Sequence, residues 1–328
     1  MAEMVHIDYF VTPKEDLKIT EIFRDEELYR EIEEQSRGQK SLPDANEFYT
    51  TPLAFPKAPE DRPYAVSSIV LSADGKMAYM DNKVGPLIAK MNKLDPAGGA
   101  GDFWVLNMLR AYADALLIGA NTLRNEPNYI NCVMDSNLMQ QRREVLGKPD
   151  QPVQVLSSRD GTDIPFDHIT FRMYPEERAK VIISTSPDGW DYIQKNSPLK
   201  HVLVGPFADC AQVDAAQLPS LTEDFDVFPV IVCGEGDLPD MKVVMYTLRK
   251  MGIELTCAES PTYCGAMMEQ GFLDEYFINY SMVYVGGNMT PGVIFPKSWQ
   301  DHPHADLVSV GIHRRNFLFT RQKIRYGL

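Results

Sequence analysis

The stretch Asp240–Gly287, DMKVVMYTLRKMGIELTCAESPTYCGAMMEQGFLDEYFINYSMVYVGG, holds two consecutive units of helix, glycine and strand. In the first, an amphipathic run ends at Gly252 and the β-type residues IELTCA follow; in the second, PTYCGAMMEQ ends at Gly271 and FLDEYFINYS follows. Glycine at these positions supplies the left-handed residue that closes a helix without a Cβ penalty. Helix alternating with strand at this spacing predicts a layered α/β sheet. Between the two units lies Ala258-Glu259-Ser260-Pro261, a strand-to-helix turn of the kind that binds phosphate, here with no glycine in it.

The pattern extends upstream from this stretch. YAVSSIVL, DALLIGA, PVQVLSS, AKVIISTS, KHVLVG and FPVIVCG are strand candidates, the apolar ones suited to a sheet interior. DFWVLNMLRAYA reads as a helix with Phe103, Leu106, Leu109 and Ala113 on one face. Downstream, DLVSVGIHRRNFLFTRQKIRY predicts an antiparallel pair at a sheet edge, turning near Arg314–Asn316. The first sixty residues differ: KITEIFRDEELYREIEEQSRG reads as an acidic amphipathic helix and SLPDANEFYTTPLAFPKAPEDRP as a proline-rich connector. The expected organisation is an N-terminal extension over residues 1–61, a dimer arm, a lid or a helix packed on the outside, followed by a main domain over residues 62–328.

Composition narrows the class of function. The 328 residues, 44% of them hydrophobic and without a low-complexity tract, suffice for a large core. A formal charge of -14 disfavours a nucleic-acid partner, which needs clustered basic residues. No apolar run approaches the ~18 residues of a membrane span, and MAEMVHIDYF lacks a secretory pattern, so a cytoplasmic protein with no membrane partner is expected. The cysteines Cys132, Cys210, Cys233, Cys257 and Cys264 lack paired metal-site spacing, and no metal site is expected. They read as reduced and mostly buried, with Cys264, at a helix start, the one candidate for a reactive thiol.

Two further motifs carry chemistry. In VLSADGKMA a strand ends at Ser72 and the Asp74-Gly75-Lys76 turn follows, which by itself is also an ordinary turn. In ADALLIGANTLRNE a buried strand ends at Gly119. There Gly119 and Ala120 allow a close backbone approach, and the amides of Asn121 and Thr122 offer donors to a phosphate or cap a short helix.

In their order along the chain, RPYAVSSIVLSADGKMA, LRAYADALLIGANTLRNEP, QPVQVLSSRDG, KVIISTS and the opening stretch resemble the pyrimidine reductases of riboflavin biosynthesis. The resemblance covers roughly 62–326 and is loose over Pro187–Asp240. It implies a dihydrofolate-reductase-like α/β fold, with a mixed, mostly parallel sheet flanked by helices. It also implies a homodimer that reduces a small molecule, a ribosylaminopyrimidine 5′-phosphate or a related pterin or pyrimidine, with NADPH, or alternatively NADH. Carried over, Gly119, Ala120, Thr122, Ser260 and Thr262 lie along the cofactor, with Ser157, Ser158 and Ser184 near its adenosine phosphate. Asp74 and Lys76 face the substrate as catalytic residues, Asp74 managing a proton and Lys76 steadying a phosphate or developing charge. Ser72 and Arg124 join them on the substrate side, while Asp274 and Glu275 match the family at a strand start, where a structural role is expected.

The chain departs from the family where members carry Glu-Gly-Gly before Pro-Thr, since Ala258-Glu259-Ser260 stands there. A helix N-terminus favours an anion by about 0.3–1 kcal/mol, whereas a carboxylate ~5 Å from a phosphate charge opposes it by ~3 kcal/mol at an effective dielectric of 20. Either Glu259 is the family's own glutamate with one glycine deleted, or it turns outward while Ser260 caps the helix that Pro261 begins. If Glu259 instead faces the phosphate, the expectation is a ligand-binding or assembly protein on the same fold. The His-x-Glu and Pro-Cys-x-x-Cys zinc signature of the deaminase that some relatives carry is absent.

Overall fold

In the computed structural model, which describes residues 4–173, 177, 179–221, 227–292 and 295–328, the elements run in chain order as follows. β1 (Thr20–Arg24), α1 (Glu26–Gln35) and α2 (Pro43–Phe48) precede β2 (Tyr64–Ser72), α3 (Leu87–Lys90) and α4 (Pro96–Tyr112). β3 (Ala115–Gly119), α5 (Ala120–Asn125), α6 (Ser136–Glu144), β4 (Val153–Ser157), β5 (Val181–Thr185) and α7 (Pro187–Asn196) form the middle. β6 (His201–Phe207), β7 (Phe228–Cys233), α8 (Met241–Lys250), β8 (Leu255–Ala258), α9 (Pro261–Glu269), β9 (Glu275–Ser281), β10 (His304–His313) and β11 (Phe317–Arg325) complete it.

The strands form one eleven-stranded sheet in the order β1-β10-β11-β9-β2-β8-β3-β4-β5-β7-β6. From β9 to β6 every neighbouring pair is parallel, and β1, β10 and β11 are antiparallel additions at one side. This is the mixed, mostly parallel sheet that the sequence predicts. Gly252 and Gly271 close α8 and α9 with φ of +90° and +69°, as the opening stretch requires. Nothing crowds a Cβ at Gly252, so Gly252→Ala isolates the backbone penalty. A loss of about 1 kcal/mol in urea unfolding is expected.

Both faces of the sheet are covered. On one, Trp104, Val105, Met108 and Leu109 of α4 pack on Val66, Leu116 and Phe277; on the other, Val244 and Leu248 of α8 and Met267 of α9 pack on Ala65, Leu117 and Tyr276. The start of β9 is tied to its neighbours by charge. Asp274 accepts both Arg62 guanidinium nitrogens at 2.7 Å and the Ala65 amide at 2.8 Å; buried Glu275 accepts Arg321 Nε at 2.6 Å and Tyr64 Oη at 2.8 Å.

Several sequence expectations are corrected. KITEIFRDEELYREIEEQSRG is not one helix: its first part is β1, paired with β10, and Asp25 caps α1 by accepting from the Glu27 and Leu28 amides. The β10–β11 pair therefore does not form the sheet edge, because β1 lies outside it. α4 starts earlier than the pattern suggests, at Pro96 behind the Asp95 cap, and it buries Trp104, Val105 and Met108 more fully than Phe103 and Leu106. The proline-rich stretch is core as well as connection. Leu42, Phe48, Leu53 and Phe55 are buried in the α4 face of the main domain, and Tyr112 Oη accepts from the Leu42 amide and donates to the Leu53 carbonyl, both at 2.7 Å.

Candidate active site at the carboxyl ends of the parallel strands

Strand length and register create a cleft. Ala258, the last residue of β8, lies level with Ser67 of β2 and Leu117 of β3. β3 continues two residues to Gly119 and β2 five residues to Ser72. At about 3.3 Å per residue, β2 rises ~10 Å beyond the level of Gly119. The short strand β8 is thus a floor between two walls. From β3 the chain proceeds towards β4, and from β8 through α9 to β9, in opposite directions along the sheet. Such a divergence is where open α/β sheets bind ligands.

Two helix N-termini open onto that floor. α5 follows Gly119 directly and α9 follows Ser260, and neither has a side-chain cap. By contrast α1, α4, α6, α7 and α8 are capped by Asp25, Asp95, Asp135, Ser186 and Asp240. Ser260 is buried at the cap position of α9, yet its hydroxyl lies 3.4 Å from Thr122 Oγ1 and does not bond to the helix it precedes. A Cβ at Gly119 would stand 3.2 Å from that hydroxyl, closer than most Cβ contacts, so glycine eases the approach of the two termini. The first backbone bond of α9 is Cys264 N to Ser260 O, which leaves the preceding amides as donors. This donor set fits the phosphates of a dinucleotide.

Glu259 resolves differently from either sequence alternative for its orientation. Its carboxylate faces neither cleft nor solvent but turns under the sheet onto α4, where Arg110 donates through Nε to Oε1 and Nη2 to Oε2, both at 2.7 Å. Tyr129 Oη donates to Oε2 at 2.5 Å, and the Asn131 amide, placed nitrogen-inward, donates to both oxygens at 3.0 Å. Burial works against the Arg110 charge, but the Glu259 carboxylate holds its pKa above the ordinary value.

The register aligns Gly119, Ser157 and Ser184 across β3, β4 and β5. Ser157 and Ser184 share a hydrogen bond of 2.9 Å, and Ser158 Oγ bonds the Asp163 carboxylate while accepting the Gly161 amide. Ser157 and Ser184 are thus engaged with each other and Ser158 with the turn that follows it, contacts that order the β4 and β5 ends. Ala120 is buried behind the α5 terminus, and Thr262 is exposed in the first turn of α9.

On the β2 wall, the Asp74 turn is a latch. Asp74 accepts from Ser72 Oγ at 2.6 Å, Val285 N at 3.1 Å and Gly286 N at 2.7 Å, which ties the turn to the loop after β9. Those hydrogen bonds, Ser72 first, lower its pKa to about 2, so the carboxylate stays ionised and serves as an acceptor. Ser72 is fully buried and also accepts the Lys76 amide at 2.8 Å. Lys76 is half-buried, and its ammonium makes no hydrogen bond or ion pair among the described residues. Arg124 is exposed and donates from Nη2 to Thr162 O at 3.4 Å. Cys264 is excluded as a reactive thiol: it is buried against Ser67 Oγ and burial pushes it up to about 12.

Because the folded pKa of Asp74 is depressed from an ordinary ~3.9, the latch is intact above about pH 4 and is lost as pH falls through about 2. Asp74→Asn would turn an amide donor toward one of the two backbone donors. Amide hydrogen exchange at Val285 and Gly286 is expected to accelerate at neutral pH in that variant, with turnover slowed and cofactor affinity unchanged. Unchanged exchange and turnover would remove the latch from the account.

Sequence reasoning missed Arg110, Tyr129 and Glu126. Arg110 stands inside the mostly apolar FWVLNMLRAYADALLIGA, and a charge at a buried helix position calls for a buried partner. Glu126 follows α5; burial raises its pKa, against the Gly85 amide.

The mostly parallel eleven-stranded sheet flanked by helices is a dihydrofolate-reductase-like fold, with the candidate site at the carboxyl ends of its parallel strands. The chain belongs to the RibD C-terminal domain family, whose model matches residues 63–310; these are reductase domains of riboflavin biosynthesis. Among solved structures it is similar to a pyrimidine reductase-like protein from Corynebacterium diphtheriae, with 18% identity, a TM-score of 0.56, and coverage of 81% of this chain and 94% of that one. It is also similar to a diaminohydroxyphosphoribosylaminopyrimidine deaminase/5-amino-6-(5-phosphoribosylamino)uracil reductase from Thermotoga maritima, with 17% identity and a TM-score of 0.50. That match covers 80% of this chain and 56% of the relative, so the chain spans little more than half of the bifunctional protein. No curated protein matches in sequence.

Proposed function

We propose that the protein is an NADPH-dependent reductase of a ribosylaminopyrimidine 5′-phosphate, acting by hydride transfer. The observation that carries this reading is the convergence of two uncapped helix termini on the floor of the β8 cleft, with the nearest carboxylate, Glu259, already neutralised by Arg110. A nicotinamide cofactor, when bound, supplies the hydride. The amides at the start of α9, with Thr122 and Ser260, hold its phosphates, and Gly119 permits their approach. On the opposite wall, the Lys76 ammonium steadies the substrate phosphate or the charge that develops on the sugar oxygen. Asp74, by accepting Gly286 N, ties the loop after β9 to the end of β2.

The test is a steady-state assay of NADPH consumption with the aminopyrimidine ribosyl phosphate and, separately, with dihydrofolate. Consumption is expected only with the aminopyrimidine. Turnover of dihydrofolate alone would reassign the substrate, and no turnover of either would overturn the reading.

A further inference from the structure

We infer that Arg110 is a positioning residue for cofactor binding: it draws Glu259 beneath the sheet and so makes a glutamate-containing turn permissive for an anion. The inference rests on the reductase reading above. Glu259 lies between the floor of the cleft and the start of α9, next to Ser260, whose hydroxyl meets Thr122. Its backbone amide donates to Leu117 O at 2.9 Å, which fixes the main chain of the turn against β3. With the backbone held, the side chain has two directions: up into the cleft, or down onto α4.

The downward direction is prepared in detail. Arg110 and Glu259 side chains are 0% and 2% exposed, and Arg110 is itself anchored by donating from Nη1 to Cys132 O at 2.8 Å. A two-nitrogen, two-oxygen pairing with a tyrosine hydroxyl and an amide added fills the acceptor sites of the carboxylate. Such a buried pair contributes little net stability compared with apolar packing, but removal of one member leaves the other charge uncompensated. Without Arg110, the nearest relief for Glu259 is rotation towards the cleft, where it would repel a phosphate and accept from the α9 amides that the phosphate needs. The pair therefore sets the charge of the cofactor site without touching the cofactor.

The experiment is calorimetric titration of NADPH into the native chain, Arg110→Met, Glu259→Gln and the double variant. Near-ultraviolet circular dichroism establishes that each is folded. Arg110→Met is expected to weaken binding at least about tenfold, an effect smaller than full Coulomb opposition at an effective dielectric of 20. The double variant is expected to return to within about threefold of the native chain, because Glu259→Gln removes the charge that Arg110 controls. A purely structural role for Arg110 would leave the loss unrescued. Tyr129→Phe, which removes one donor from Glu259, is the milder variant should Arg110→Met not fold; a severalfold loss, again rescued by Glu259→Gln, is expected. Native affinity in Arg110→Met, or in Tyr129→Phe if only that variant folds, or a loss that Glu259→Gln does not restore, overturns the inference while the reductase reading stands. Absence of binding by the native chain overturns the reductase reading and the inference with it.

Discussion

Ser260→Asp is expected to stabilise the fold and to weaken cofactor binding about a hundredfold in the same molecule. Ser260 holds the cap position of α9 without capping it. Aspartate there would accept from the first-turn amides and oppose the positive end of the helix dipole, a gain of about 1 kcal/mol. The same carboxylate would stand where the cofactor phosphates are proposed to sit, opposing them by ~3 kcal/mol at ~5 Å and an effective dielectric of 20. That is a loss of about a hundredfold in affinity. Ser260→Asn separates cap from charge: it should stabilise similarly and lose less affinity than Ser260→Asp, because it competes for the first-turn amides without repelling the phosphate. Thermal unfolding and cofactor titration of the two variants check both signs. Retained affinity in Ser260→Asp would place the phosphates away from α9.

Removal of residues 1–61 is expected to unfold the protein, although the family match begins at residue 63. Leu42, Phe48, Leu53 and Phe55 are each at most 5% exposed, and Phe48 packs at 5.1 Å from the Trp104 ring and 5.3 Å from Phe319. Emptying one such phenylalanine site costs about 3–5 kcal/mol and one leucine site about 2–5 kcal/mol. Four together match or exceed the ~5–15 kcal/mol by which a domain is stable. The truncated chain should lack cooperative unfolding and near-ultraviolet dichroism. A truncated chain with a native-like transition would make the segment an appendage. Phe48→Ala in the full chain should lose about 3–5 kcal/mol and remain folded.

The difference between these two regions shows what could be read in the sequence. The parallel strands were legible because each is a short apolar run bounded by turn residues, and the glycines at 252 and 271 announced the helix ends. Ser41–Pro63 was not legible as core, since its apolar residues follow no helical or strand period and are interrupted by prolines. Their burial depends on the α4 face they meet. At the site, the register of Gly119, Ser157 and Ser184 follows from strands that the sequence predicts. The destination of Glu259 does not, because it depends on Arg110, 149 residues away along the chain. Asp74 was found by its motif, but its acceptor role depends on the amides of Val285 and Gly286, which a turn motif does not reveal.

The central claim is that the β8 cleft holds a reduced nicotinamide dinucleotide. Calorimetric titration of the native chain with NADPH and with NADH tests it most directly. The account predicts saturable binding of at least NADPH at a single site per chain, weakened about a hundredfold in Ser260→Asp. No binding of either dinucleotide at millimolar concentration would contradict it.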